Sequence, residues 1–266
     1  MNQIFATGVS GTIGKHLLKK VLPLNIDLAS QRNSFELLNF KENSNLIHLA
    51  GVVGPSEVEK NLDYARSVNI YGTGVLAREF FNKSDGIFYF VSTSHVYARS
   101  RHLITETNPV SPGNIYAKQK LEAELMLRKI FSSAPKRLSI VRVFSVLDWD
   151  VAPYTLGGAI KKMIDTDLVL SNASDIRDFL TPKTIAEVIY EIASVGAQFE
   201  IVNLCSGSGI SVGEAAKKML HESGFEVDDD RFSWQQGLNP YVVGDNSRLL
   251  SRFPLLNLSW QPSILN

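Results

Sequence analysis

One glycine-spaced turn constrains this chain more than any other stretch of it. Ile4 to Ala6 reads as a short apolar strand, Thr7-Gly8-Val9-Ser10-Gly11-Thr12-Ile13-Gly14 follows at once, and a helix is expected from Ile13 to Leu22. In a G-x-x-G-x-x-G turn the first glycine permits the tight bend, the second lets a pyrophosphate approach the backbone, and the third lets helix and strand pack closely. The helix N-terminus then faces the phosphates. A tight turn with no ligand is the alternative reading of the glycines alone, and the apolar strand directly before them weighs against it.

The rest of the first half repeats the strand and helix rhythm. Asn45 to Leu49, Ile87 to Val91 and Leu138 to Phe144 read as strands, with helices over Asn61 to Phe81 and Tyr116 to Ile130. The strand segments are almost continuously apolar, as expected where helices cover both faces of a parallel α/β sheet. In the helix from Tyr116, Ala117, Leu121, Leu125 and Leu127 alternate with Lys118, Lys120, Glu122, Glu124 and Arg128, an amphipathic pattern at helical spacing. After about residue 145 the rhythm loosens. A dinucleotide-binding domain is expected over residues 1–145 plus 178–204, and a smaller substrate-binding lobe over 146–177 plus 205–266.

Composition removes several classes of partner. The 266 residues carry 27 basic and 27 acidic side chains, so the chain offers no overall field that would attract nucleic acid or an anionic membrane. A 44% hydrophobic content is enough for a substantial core. The one cysteine, Cys205, excludes an internal disulfide and a zinc-type cluster, so no metal site is expected and a reducing cytoplasm fits. The N-terminus lacks a basic segment of the signal-peptide kind, and no apolar run approaches the roughly 18 residues of a membrane span.

A second strand is expected near Ile26 to Ser30. When the adenosine ribose carries a free 2′-hydroxyl, this strand usually ends in an acidic residue. Here Ser30-Gln31-Arg32 stands at that point, a pair suited to a 2′-phosphate, so NADP(H) is expected over NAD(H).

Tyr116 and Lys120 stand four residues apart, on one face of their helix. A tyrosine serves as acid or base near neutrality only if its pKa, about 10 when unperturbed, falls; a drop of about 3 units needs roughly 4 kcal/mol of differential stabilisation. Neighbouring cations supply energy of that kind in a partly dry cleft. Ser92-Thr93-Ser94 closes the strand from Ile87, and ligands of parallel sheets sit beyond the carboxyl ends of strands, so these hydroxyls are directed to the same crevice as the glycine turn.

In these motifs the chain resembles the extended short-chain dehydrogenases/reductases, in their nucleotide-sugar epimerase/dehydratase branch. The likeness runs nearly end to end. Thr7 to Gly14 is similar to the T-G-x-x-G-x-I-G turn, Ile47-His48-Leu49-Ala50-Gly51 to the strand motif lining the cofactor, and Asn69 with Gly72-Thr73 to an N-x-x-G-T helix element. Ser92 to Tyr97 resembles a hydroxyl-bearing S-[ST]-x-x-V-Y segment, Arg177 to Leu180 an R-D-F segment, and Val202 to Gly207 a later strand motif. Asp245 to Leu249 with Trp260-Gln261-Pro262 resembles the family tail.

The resemblance implies a Rossmann-type doubly wound parallel sheet with a smaller C-terminal substrate lobe. It makes Thr93, Tyr116 and Lys120 the catalytic group: Thr93 on the substrate oxygen, Tyr116 exchanging its proton, Lys120 holding the nicotinamide ribose and depressing the tyrosine pKa. Gly8, Ser10, Gly11, Thr12, Ile13, Gly14, Ser30, Arg32, Leu49, Ala50, Gly51, Asn69 and Ser92, with Tyr116 and Lys120, become the expected cofactor contacts. Ser94, His95, Ser145 and Arg177 become the expected contacts to a nucleotide sugar. Ser94 and His95 replace the Asp-Glu pair of the family's 4,6-dehydratases, which disfavours that reaction. Epimerase and 4-ketoreductase both stay open, His95 is either a substitute acid/base or a packed residue, and a non-catalytic NAD(P)-sensing protein is the rival from another class. Helices 61–81 and 116–130 correspond to a pair that forms dimers in related proteins, so a homodimer is expected.

Overall fold

The computed structural model describes residues 3–30, 38–226, 228–234 and 240–265. In chain order the strands are β1 (Ile4–Thr7), β2 (Leu22–Pro23), β3 (Asn45–His48), β4 (Phe88–Thr93), β5 (Leu138–Val143), β6 (Ser145–Val146), β7 (Ile176–Arg177), β8 (Phe179–Leu180), β9 (Ile201–Leu204), β10 (Ile210–Ser211) and β11 (Tyr241–Val242). The α-helices are α1 (Pro55–Lys60), α2 (Leu62–Arg66), α3 (Thr73–Lys83), α4 (Ile115–Ile130), α5 (Leu156–Asp165), α6 (Pro182–Ser194), α7 (Val212–Glu222) and α8 (Ser247–Leu250). The chain divides into two compact units, residues 1–98, 109–143 and 185–202, and residues 99–108, 144–184 and 203–266.

The first unit is built on a six-stranded sheet ordered β2-β1-β3-β4-β5-β9, parallel from β2 through β5. Every residue of β1, β3, β4 and β5 is buried, which explains why these segments read as apolar runs rather than alternations. The chain steps from β1 out to β2 and then crosses to β3 on β1's other side. That reversal puts a crevice beyond the carboxyl ends of β1 and β3, where open α/β sheets take their ligands. On one side of the sheet Phe5, Phe40, Phe80 and Phe88 meet edge to face in sequence, with ring centroids 5.2, 5.2 and 5.7 Å apart. Each such ring contributes roughly 1.5–3 kcal/mol by leaving water.

The connection from β1 to β2 departs from expectation. In place of a helix over Ile13 to Leu22 there is one 3₁₀ turn, Gly14–Leu17, with no side-chain cap. The second strand is Leu22–Pro23, pairing with Phe5 and Ala6, and not Ile26 to Ser30. A strand this close behind the glycine turn leaves too little chain for a full helix and its two loops, so the crossover shrinks to a single tight turn. Ser30 therefore does not end the second strand, and Arg32 lies outside the described residues.

The helix expected over Asn61 to Phe81 is broken into α2, a π-helical stretch at Ser67–Gly72, and α3. The π turn coincides with a close approach at Gly72, where a Cβ would stand 2.3 Å from the Leu28 carbonyl oxygen. Mid-helix π turns are often functional, and this one carries Asn69.

In the second unit β10-β7-β11 form one small sheet and β6 pairs in parallel with β8. Leu147, Trp149, Met163, Phe179, Met219 and Phe232 lie in its core. The Trp260 ring packs 5.6 Å from that of Phe179, and its indole N–H donates to the Leu147 carbonyl at 2.9 Å. Residues 178–184, expected with the dinucleotide domain, cluster here because β8 pairs with β6 and the buried Asp178 carboxylate accepts from the Ser206, Gly207 and Gly244 backbone.

Candidate active site

Two groups of residues gather at the carboxyl edge of the first unit's sheet, one around β1 and β3, the other around β4 and α4. Gly8 has φ +70°, and a Cβ there would stand 2.5 Å from the Ala50 nitrogen; a Cβ on Gly14 would stand 2.1 Å from the Gly8 oxygen. Both glycines are thus required by the protein's own backbone. Gly11 differs: it is exposed, and its Cβ would meet only the Gly8 oxygen at 3.3 Å. Ser10 and Gly11 are exposed, with Thr12 and Ile13 half-buried beside them and the Gly11 N–H donating to the Gly8 carbonyl at 3.0 Å, an open turn that fits a pyrophosphate.

A buried polar relay ties this turn to β3. Thr7 and His48 end neighbouring strands, and Thr7 Oγ1 lies 2.7 Å from His48 Nδ1 while accepting the Ala50 N–H at 3.3 Å. His48 Nε2 lies 2.9 Å from Thr73 Oγ1, which in turn donates to the Val68 carbonyl at 3.5 Å. With every hydroxyl donating once, the set is satisfied by a neutral His48 protonated at Nε2. Burial, with the Lys120 cation adding to it, pushes the His48 pKa from 6.5 down to about 3.

The loop after β3 is pinned by Asn69. Its side-chain oxygen accepts from the Val52 N–H at 2.8 Å, and its nitrogen donates to the Val52 carbonyl at 3.0 Å and to Gln119 Oε1 at 2.9 Å. Leu49 and Ala50 are half-buried and Gly51 is exposed along that loop. Asn69 thus holds Ala50 to Val52 in place.

Around α4, Asn114 caps the helix by accepting from the Ala117 N–H at 2.8 Å, which sets Tyr116 in the first turn. The inward face of α4 is Tyr116, Ala117, Gln119, Lys120, Ala123, Glu124 and Leu127. The apolar stripe read from sequence is therefore only partly the buried face: Ala117 and Leu127 are buried and Leu121 half-buried, but Leu125 is 55% exposed, whereas Lys120 and Glu124 are buried. Lys120 Nζ donates to the Val91 carbonyl at 2.7 Å and sits 3.9 Å from the Phe90 ring centroid. Burial brings its pKa from 10.5 to about 7, with Glu124 opposing the fall.

Ser92 donates to Glu124 Oε1 at 2.5 Å, and Arg142 grips the same carboxylate through Nε at 3.1 Å and a terminal nitrogen at 2.6 Å. The guanidinium lies 4.6 Å from the Tyr97 ring centroid. Thr93 ends β4 with its Oγ1 accepting from the His95 N–H at 3.3 Å, and the exposed His95 ring stands edge to face with Tyr116, centroids 6.3 Å apart. Ser94 is buried at the start of a 3₁₀ turn, Ser94–Val96, that follows β4.

Ser145 and Arg177 belong to the second unit. The Ser145 N–H donates to the Asp178 carbonyl at 2.9 Å, and the Arg177 guanidinium is paired with Asp175 at 2.8 Å. Thr7, His48 and Thr73 entered the sequence reading only as members of motifs, and Gln119, Glu124 and Arg142 were given no site role there. Two signals mark most of them: polar residues inside otherwise apolar strands (His48, Arg142), and polar residues three, four and eight positions beyond Tyr116 on its helix face (Gln119, Lys120, Glu124).

Residues 4–205 match the model of the NAD dependent epimerase/dehydratase family, and the chain belongs to that family. It is 25% identical to a GDP-6-deoxy-D-talose 4-dehydrogenase of Aggregatibacter actinomycetemcomitans over 94% of this chain and 90% of that protein. It is 24% identical to a putative UDP-glucose 4-epimerase of Methanocaldococcus jannaschii over 84% and 83%. Among solved structures, that of RMD from Pseudomonas aeruginosa complexed with NADPH superposes with a TM-score of 0.79 at 22% identity, covering 100% of this chain and 95% of that one.

Proposed function

We propose that this protein is a nicotinamide-dependent oxidoreductase that moves a hydride at C4 of a nucleotide-linked sugar, with Tyr116 as the acid/base, and that it works as a 4-ketoreductase. The observation that carries the reading is that Thr93 at the end of β4 and Tyr116 and Lys120 on α4 share the carboxyl edge of the sheet with the glycine turn of β1, one strand away across β3. A bound nicotinamide dinucleotide supplies the hydride chemistry. Gly8, Ser10, Gly11, Thr12, Ile13 and Gly14 would hold its pyrophosphate, and Leu49, Ala50 and Gly51 would line it. Thr93 would bond the sugar oxygen and Tyr116 would give or take the hydroxyl proton. Lys120, held by the Val91 carbonyl, would reach the ribose and favour the phenolate. The exposed His95 beside Tyr116, with Ser94, would meet the nucleotide sugar from the first unit.

The reductase reading is favoured by the 4-dehydrogenase relative, whose likeness extends over nine-tenths of both chains. The putative 4-epimerase relative supports the second reading, the same hydride chemistry with the cofactor retained. Purified protein given a panel of GDP-, UDP- and dTDP-linked 4-keto and 4-hydroxy sugars separates them: stoichiometric loss of NAD(P)H with product supports the reductase, product without net loss the epimerase. No turnover with any of the panel would reject both.

NADP(H) is the proposed cofactor. The strand ending at Pro23 is followed by Leu24 and Asn25, with no carboxylate to take a ribose 2′-hydroxyl. The nearest one, Asp27, accepts from the Ala29 N–H of its own turn, and Ser30 and the cationic Arg32 follow in sequence. Tighter binding of NADH than of NADPH would reverse this choice. We further propose a cytoplasmic homodimer, supported by Leu62, Tyr64, Tyr71 and Leu125, all at least half exposed on the outer faces of α2, the π stretch and α4. Sedimentation at micromolar concentration would test it, a monomeric mass counting against it. Among the described residues no helix is long and apolar enough to cross a membrane.

A further inference from the structure

Glu124 is a buried carboxylate with no place in the chemistry proposed above, yet it stands one helical turn beyond Lys120 and two beyond Tyr116 on the same inward face. Its two oxygens are occupied by the Ser92 hydroxyl from β4 and by a two-pronged grip from Arg142 on β5. Both members of the ion pair are almost completely withdrawn from water, at 4% and 1% side-chain exposure. A buried pair of this kind is costly to assemble and adds little net stability compared with apolar packing, so its position calls for a reason other than holding the fold together.

We propose that the Glu124–Arg142 pair is a positioning device that sets the charge of Lys120, Glu124 holding the ammonium in its cationic form and Arg142 limiting that pull. The inference rests on the catalytic reading of Tyr116 and Lys120. Lys120 is 8% exposed, and the groups that bear on its protonation come from the sheet and from its own helix. From β4 come the Val91 carbonyl, which accepts from Nζ, and the face of Phe90. From β3 comes neutral His48, whose own proton affinity Lys120 depresses. From its own helix come Tyr116 and Glu124, and from β5 comes Arg142, reaching Lys120 only through Glu124. Glu124 is the one anion in this set. Burial disfavours the ammonium and the Glu124 carboxylate opposes that effect, which leaves the lysine near half protonation at neutral pH. Without Glu124 the Arg142 guanidinium would lose its carboxylate partner, and Lys120 the anion one turn along its helix. Without Arg142 the whole charge of Glu124 would act on the lysine.

The two partners should therefore move Lys120 in opposite directions, whereas a pair that serves packing alone and is not coupled to the lysine charge would leave its midpoint unmoved. The test is an NMR pH titration of Lys120 in protein carrying ¹³C- and ¹⁵N-labelled lysine, with no cofactor added and the resonance assigned by its loss in Lys120→Arg. A wild-type midpoint about 7 is expected. Glu124→Gln should lower it and Arg142→Gln should raise it, each by on the order of one pH unit, the scale of one near charge. The double variant Glu124→Gln/Arg142→Gln, which keeps a neutral hydrogen-bonding pair in the same space, should fall between them and remains testable if either single variant does not fold. Midpoints that do not move, or that move the same way in both single variants, would overturn the proposal. The readout needs no turnover: opposite shifts alongside a fully active Tyr116→Phe would reject the catalytic reading and leave this coupling standing.

Discussion

The two halves of the candidate site are built in different ways. Around β4 and α4, a sixteen-residue capped helix is locked to the sheet through Lys120, Glu124, Ser92 and Arg142. Around β1, the glycine turn leads into a single 3₁₀ turn and a two-residue strand. The proposed catalytic groups are over-determined by buried charges, while the proposed dinucleotide cradle is held by backbone contacts between glycines and by one neutral histidine. Proton transfer demands a fixed geometry and fixed charge states, and an anion held by backbone N–H groups demands only an open, correctly bent loop.

The comparison is tested most severely at Tyr116. Tyr116→Phe keeps the ring that packs against Val58 and Ala65 and removes only the hydroxyl. Turnover should fall by about 10²–10⁴-fold, the usual worth of a positioned acid/base, with dinucleotide affinity unchanged by fluorescence titration. A rate within a fewfold of wild type would take catalysis away from this half.

The glycine turn should separate into a folding part and a binding part. Gly8→Ala and Gly14→Ala meet backbone atoms at 2.5 and 2.1 Å, and each should cost about 1–3 kcal/mol or more, seen as a lowered Tm. Gly11→Ala has room, with one neighbour at 3.3 Å. It should keep its Tm and weaken dinucleotide binding about tenfold, the methyl group occupying the open side of the cradle. Equal losses of Tm at all three positions would show that Gly11 too serves only the backbone.

The neutral histidine gives the β1 half a pH signature. In the unfolded chain His48 takes a proton near 6.5, in the folded protein only at about 3. Between those values the unfolded state binds the extra proton, so stability that is fully present above 6.5 is lost as pH falls. The slope approaches 1.4 kcal/mol per pH unit, so about 2 kcal/mol should be lost between pH 7 and 5. Urea unfolding of wild type and His48→Gln across that range should show the slope reduced by one proton in the variant; parallel slopes would mean that His48 titrates normally in the folded state.

These differences also decide what was legible in the sequence. The strands β1, β3, β4 and β5 and the helix α4 were readable because an interior strand is an apolar run and a long helix shows its period. Tyr116, Lys120 and Thr93 stood out through spacing and strand-end position. The crossover after Gly14 was not readable, because Lys15 to Leu22 has ordinary helical character and only the nearby pairing of Leu22 and Pro23 with β1 prevents the helix. Glu124 and Gln119 were hidden by the assumption that polar residues face water. Leu125 pointed outward and Glu124 inward, the reverse of what hydrophobicity alone would choose. Tertiary partners, Arg142 for Glu124 and Asn69 for Gln119, overrode the pattern.

The smallest expected effect lies where the two halves meet. Gln119, between Tyr116 and Lys120, accepts from Asn69 at 2.9 Å, and Asn69 in turn holds both backbone groups of Val52 in the loop after β3. Gln119→Met removes the acceptor while keeping the volume. It forfeits one buried hydrogen bond, about 0.5–1.5 kcal/mol, but leaves Asn69 its two bonds to Val52. Dinucleotide Kd should therefore rise by only about two- to tenfold, with kcat little changed, because α4 keeps its cap and its ion pair. Asn69→Ala should cost more in Kd, and the double variant should cost less than the two singles together, since both act on one chain of bonds. Strict additivity would mean that Gln119 and Asn69 act independently, and that α4 carries no part of the positioning of the cofactor loop.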